Sequence, residues 1–139
     1  MAAKFHDLLK SRSKEEPYAR LLNLEAVEVG AGSAVVQMRS VPELANIFGY
    51  THGGALFSLI DEAFQLACNA HGVLSVALNV SITYVTPPTP GTMLEARATE
   101  MHKTNRTSSY HCEVREPESG KLIATAHALA YRTGKEIDL

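Results

Sequence analysis

Apolar and polar positions alternate along the chain in a way that predicts two short helices, a hairpin, one wholly apolar helix and a run of strands. Phe5, Leu8 and Leu9 recur at helical spacing, and residues 11–16 are polar, so the first stretch reads as a short, loosely held helix followed by a linker. Pro17 suits the first position of a second helix, with Tyr18, Leu21 and Leu22 on one face. Residues 24–29 and 33–39 read as strands joined by Gly30-Ala31-Gly32, a hairpin spacing, and Pro42 ends the second strand. From Gly54 to about Ala70 there is no proline, and apolar residues nearly encircle the helix, so it must be buried; Gly72 closes it. Residues 74–85, 92–103, 106–116 and 121–132 are β-rich, and the last three runs form a meander. One buried helix between a hairpin and long antiparallel strands predicts an α+β fold, a curved sheet wrapped around that helix.

Composition narrows the function classes. At 139 residues, 45% hydrophobic and 20% charged, the chain can build one core without disulfides or a structural metal. Its formal net charge of −2, with basic residues scattered, excludes the electrostatic footprint of a nucleic-acid binder. No apolar run approaches the roughly 20 residues that span a bilayer, so neither export nor membrane insertion is expected. Cys68 and Cys112 fall in a helix and a strand, which suits reduced thiols and a cytoplasmic setting. Strands do not alternate with helices, so no parallel nucleotide-binding sheet and no cofactor domain is expected.

The chemistry concentrates around the start of the buried helix. Asn46-Ile47-Phe48-Gly49-Tyr50-Thr51-His52-Gly53-Gly54 leads into it, and Asp61 lies within it. A helix N-terminus offers unpaired N–H groups and partial positive charge, and glycine lets a substrate oxygen approach that backbone, so Gly53 and Gly54 form a ready oxyanion site. Asp61 sits in an otherwise apolar helix beside Glu62, which points about 100° away around the axis. Either acid can be the exposed one, but the solvent-facing edge suits Glu62 better and leaves Asp61 as the carboxylate put to use as base, acid or nucleophile. Gly53 and Asp61 are separated by about 12 Å along one helix, so they meet at one carbonyl only if a second subunit runs antiparallel, as in a two-fold dimer. His52 fits a supporting role and Asn46 a water- or carbonyl-positioning one, though each also suits local loop bonding. Ser58, one turn before Asp61, suits a supporting hydrogen bond. Tyr50, Phe57, Ile47 and Phe48 are candidates for an acyl pocket or for core. Lys103, Arg106 and Arg132 fall at strand ends, where basic groups can meet phosphates or simply stay solvated. The histidines show no metal-ligand spacing, and His111 and Cys112 point to opposite faces of a strand, so neither a metal site nor a Cys–His dyad is expected.

With Asn46, His52-Gly53-Gly54 and Asp61 at this spacing, continued by HGGALFSLIDEAFQLACNAHG, SVALNVSITYVTP and GTMLEARATE, the chain resembles the hotdog-fold acyl-CoA thioesterases of the PaaI type. The resemblance covers residues 18–132 and implies a hotdog domain over 18–133, with an N-terminal extension over 1–17 and a tail over 134–139. It implies hydrolysis of an acyl-CoA thioester, typically of an aromatic acyl group from phenylacetate catabolism, without metal or redox cofactor. Gly53 would polarise the carbonyl, Asp61 of the partner subunit would attack it or activate water, and Asn46 and His52 would assist. Gly54, Phe57, Tyr50, Lys103 and Arg106 would contact acyl or CoA groups, and homodimers would pair into homotetramers. The chain departs from some relatives at Ala77 and Asn79, where a strand Ser or Thr hydroxyl would lie near the carboxylate. Two other functions fit the same fold. A β-hydroxyacyl dehydratase or hydratase needs an imidazole to move a proton at carbon; a noncatalytic acyl-CoA sensor would ordinarily carry a DNA-binding module, for which the stretch before Tyr18 is too short.

Overall fold

In a computed structural model, residues 2–139 are described. The elements run α1 (Ala2–Glu15), α2 (Pro17–Leu22), β1 (Glu25–Gly30), β2 (Ser33–Arg39), a 3-10 turn at Pro42–Leu44, α3 (Gly53–Asn69), β3 (Val73–Tyr84), β4 (Met93–Lys103), β5 (Thr107–Arg115) and β6 (Leu122–Glu136). All strand pairs are antiparallel, and the sheet order is β1-β2-β4-β5-β6-β3. The chain crosses from β2 to the opposite edge, β3, by way of α3, so the helix lies across one face of the curved sheet.

Alternation along the strands decides how closely the helix can approach. The inward positions of β6 are Ala124, Ala126, Ala128 and Ala130, and those of β4 include Ala96 and Ala98, all buried. Small side chains let the sheet wrap around a helix whose own Leu59, Ile60, Ala63, Phe64 and Ala67 are at most 1% exposed. Phe64 meets the buried Tyr110 of β5 edge to face, with ring centroids 5.5 Å apart. Both side chains fill volume that the alanines leave.

The sequence reading of the first 17 residues needs correction. α1 continues through Glu15 where a polar linker was expected, because Leu9 and Ser13, one turn apart, are both buried by docking. Ser13 Oγ donates to Glu62 Oε2 at 2.6 Å, and His6 Nε2 lies 3.0 Å from the Ala70 carbonyl at the end of α3. α1 therefore covers the face of α3 on which Glu62 projects. The burial of the two acids is the reverse of that expected: Glu62 is 5% exposed, whereas Asp61 faces outward. β6 also runs on to Glu136, and Ile137 N–H donates to the Gly72 carbonyl.

Burial pushes the Glu62 carboxyl up to about 8, helped by the hydrogen-bonded Glu16 carboxyl and opposed by the Ser13 hydroxyl. Its ordinary value is 4.5, so between there and about pH 8 the folded protein holds a proton that the unfolded chain releases. Stability accordingly falls as pH rises through that window. Urea unfolding at pH 5.0 and pH 8.5 is expected to show that loss, and Glu62→Gln, which mimics the protonated acid, is expected to flatten it. In the same assay at fixed pH, Phe64→Ala is expected to cost about 3–5 kcal/mol through the cavity left beside Tyr110.

Candidate active site

The loop before α3 is built by its own polar groups. Asn46 Oδ1 accepts from Phe48 N–H at 2.9 Å and Tyr50 N–H at 3.1 Å, while Asn46 N–H donates to the Tyr50 carbonyl at 2.7 Å. These bonds close a tight Asx-type loop and leave the Asn46 Nδ2 donors without a partner among the described residues. Ile47 and Phe48 are thrust outward, 91% and 76% exposed.

His52 caps the helix. Its backbone is extended, its N–H donates to the Leu44 carbonyl, and its Nδ1 accepts the Gly54 N–H at 2.9 Å. The hydrogen therefore sits on Nε2 in the neutral ring. Ala55 and Leu56 N–H groups both donate to the His52 carbonyl. Gly53 N–H is the one donor of this first turn with no acceptor among the described residues. Of the two glycines expected to face substrate, Gly54 spends its N–H within the cap, and Gly53 keeps its own free. Tyr84, at the end of β3, donates to the Gly53 carbonyl at 3.1 Å, and a Cβ at Gly53 would meet its ring at 3.2 Å. The sequence offered no spacing signal for Tyr84. Gly53, Phe57 and Asp61 succeed one another at four-residue intervals along one stripe of α3, with Phe57 half-buried.

Asp61 opens onto a cavity of about 450 Å³ between α1, α3, the start of β3 and the C-terminal residues. Its walls are mainly apolar, with Leu9, Phe64, Leu74, Val76 and Leu139 among them, and Ala77 contributes no hydroxyl. Partial burial in this cavity raises the Asp61 carboxyl above its ordinary value, and the negative charge of Glu16 adds to the effect. Ser58 Oγ donates to the Gly54 carbonyl at 2.9 Å and lies 2.8 Å from Tyr18 Oη, so it ties α2 to the first turns of α3. Cys68 also lines the cavity, but burial pushes its thiol up to about 12, so it stays protonated and unreactive.

Lys103 and Arg106 are exposed at the β4–β5 turn. Thr107 pairs with Tyr131, and Tyr131 with Val76, so this turn lies near the beginning of β3. Gly53 lies near the end of β3, beside Tyr84. Within one chain the two features are thus at opposite ends of the sheet. Among the described residues, no three His, Cys, Asp or Glu side chains gather as metal ligands do, and no helix is long and apolar enough to cross a membrane.

Comparison with known proteins bears on this arrangement. Residues 48–123 match the model of the thioesterase superfamily. A putative esterase of Archaeoglobus fulgidus is 39% identical over 123 residues, 88% of this chain and 79% of that protein. The acyl-coenzyme A thioesterase PaaI of Escherichia coli is 33% identical over 119 residues, 86% of this chain and 84% of that protein. The structure of the Escherichia coli PaaI protein from the phenylacetic acid degradation operon superposes with a TM-score of 0.88 at 29% identity, covering 96% of this chain and 98% of that one. A helix wrapped by a curved antiparallel sheet is thus the hotdog arrangement these proteins share, and the chain belongs to the thioesterase superfamily as a thioester hydrolase similar to PaaI.

Proposed function

We propose that the chain hydrolyses the thioester of a small aromatic acyl-CoA, of the phenylacetyl or hydroxyphenylacetyl type, at a site shared by two subunits. The observation that carries this reading is the unpaired Gly53 N–H at the head of α3, with Asp61 eight residues along the same helix. About 12 Å separates them, too far for one carbonyl, so the helix of a second copy must run antiparallel and bring its Gly53 to this Asp61.

The edge of the sheet supports that pairing. β3 is a 12-residue strand with one side unpaired, and its Leu74, Val76, Leu78 and Tyr84 are between 41% and 56% exposed. An open apolar edge about 40 Å long invites another strand, and pairing with its own copy about a two-fold axis makes the two β3 strands antiparallel. The start of one β3 then lies beside the end of the other. Lys103 and Arg106 of one subunit come to the end of the assembly that holds Gly53 of the partner, in reach of CoA phosphates. As the family resemblance implies, such dimers pair further into tetramers.

At the shared site the thioester carbonyl oxygen accepts from Gly53 N–H, where the helix dipole favours the charge that develops. Asp61 takes a proton from water as the water oxygen bonds to the carbonyl carbon. Collapse of the adduct breaks the C–S bond, and CoA leaves as thiolate and is protonated. A carboxylate raised by partial burial is a better base for this step than an ordinary aspartate. Asn46 Oδ1 and the rigid His52 cap hold the loop, which leaves Asn46 Nδ2 to place the water or the carbonyl, and Phe57 and Tyr50 flank the acyl group. The mainly apolar cavity beside Asp61 suits an aryl group.

Thiol release from aryl-acetyl, benzoyl and fatty acyl-CoAs is expected to be fastest with the aryl-acetyl members; equal rates across the panel would remove the aromatic assignment. Asp61→Asn is expected to lower kcat about 10²- to 10⁴-fold. In the native enzyme, activity is expected to decline on the acid side through a pKa above the ordinary aspartate value, because protonated Asp61 cannot accept from water. For the assembly, Val76→Lys together with Leu78→Lys is expected to yield a monomer by light scattering, with hydrolysis lost; an active monomer would refute the shared site.

A further inference from the structure

The N-terminal arm does more than cover the core. α1 and the residue that follows it supply Leu9, Arg12, Ser13 and Glu16 to the walls of the cavity onto which Asp61 opens. The arm is fastened there by polar bonds to α3. Gln65, one helical turn beyond Asp61, donates through Nε2 to Glu16 Oε2 at 2.8 Å and lies 3.4 Å from Glu62 Oε1. Ser13 Oγ holds the other Glu62 oxygen. Glu16 precedes Pro17 and is the N-cap of α2, so its backbone is fixed at the junction of two helices. Gln65 thus brings the two carboxyls together on one face of α3. Glu62, 5% exposed, is the member whose carboxyl burial raises, to about 8; Glu16 beside it is half-buried.

We propose that Glu16 is a positioning residue for thioester hydrolysis: the N-terminal arm carries its carboxylate into the reaction cavity, one turn along α3 from Asp61, and sets a fixed negative charge against the catalytic carboxylate. Glu16 touches neither substrate nor water. It acts through Asp61, whose proton affinity rises beside a like charge. This rests on the reading of Asp61 as the base. The other charged or titratable groups facing Asp61 are few. Arg12 comes from α1; Glu62 and the protonated Cys68 come from α3; Ile137 and Leu139 of the C-terminal segment bring no titratable side chain. The part of β3 that lines the cavity, from Leu74 to Ala77, brings none, and the buried Cys112 of β5 is also protonated, its thiol pushed up to about 12. In the proposed dimer the partner adds its His52, whose Nδ1 accepts the Gly54 N–H.

The test is the pH dependence of kcat with the best substrate of the acyl-CoA panel, measured on the full chain. Glu16→Gln keeps the bond from Gln65 to a side-chain oxygen but removes the charge. Its acid limb is expected to move down by roughly half to one pH unit, with plateau kcat reduced several-fold because Asp61 becomes a weaker base. Glu62→Gln reproduces the protonated partner and is expected to leave the limb within about 0.2 unit of the native position. Should Glu16→Gln fold poorly, Gln65→Leu releases the Glu16 carboxylate without altering any charge and is expected to move the limb the same way. A limb that depends on Asp61 but does not move in either variant overturns the role of Glu16 alone, as does a change confined to KM. A limb that survives in Asp61→Asn overturns the role of Asp61 and that of Glu16 with it.

Discussion

One helix buried against an alanine-lined sheet sets the terms for everything else in this molecule. Ala96 and Ala98 on β4 and the four alanines of β6 let the backbone of α3 pack close to the strands, and its buried Leu59, Ile60 and Phe64 fill the groove between them. Its first turn and its middle are therefore fixed relative to each other by helical rise alone. Gly53 and Asp61 lie on a common stripe but never at a common point. The proposed two-subunit site answers this placement of both groups on one rod, and the unpaired β3 edge offers the means to bring a second rod alongside.

The contact between α1 and α3 is of another kind. A buried carboxyl is costly as an ion, and Glu62 avoids that cost by remaining protonated between Ser13 and Glu16. Its value for the fold is directional. An apolar contact at this position would let α1 slide, whereas a hydrogen bond of 2.6 Å from Ser13 fixes the register of one helix on the other. That register presents Leu9 and Arg12 to the cavity and brings Glu16 to Gln65. Core stability and the shape of the reaction cavity are in this way tied to the same side chains.

Much of the fold was legible in periodicity. The hairpin, the apolar helix after His52 and the four later strands lie within a few residues of their expected bounds, because each carries its signal in its own segment. β6 is the exception at its C-terminal end, where the strand continues to Glu136 beside the start of β3. The misread features are those whose cause lies elsewhere in the chain. Residues 11–16 look like a linker because they are polar, yet α1 extends through Glu15 because Ser13 docks on a glutamate 49 positions away. The exchange of burial between Asp61 and Glu62 has the same origin: a helical wheel gives their angle but not which side α1 will cover. Gly53 and Gly54 are equivalent as letters, and only the direction of the His52 ring separates the free donor from the bonded one. Tyr84 and Glu16 reach the site through tertiary packing, and nothing in their local sequence announces it.

The His52 cap also bears on which chemistry the fold performs. Dehydration or hydration of an acyl chain requires an imidazole lone pair that can accept a proton from carbon. In a neutral histidine only one ring nitrogen carries that lone pair, and here Nδ1 uses it to hold the Gly54 N–H at 2.9 Å. Freeing it would remove the cap and loosen the first turn of α3, the very turn from which Gly53 presents its donor. Oxyanion stabilisation and base catalysis by His52 thus compete for one electron pair. The proposed hydrolysis removes the conflict, since it takes Asp61 of the other helix as its base and leaves the histidine to hold the turn.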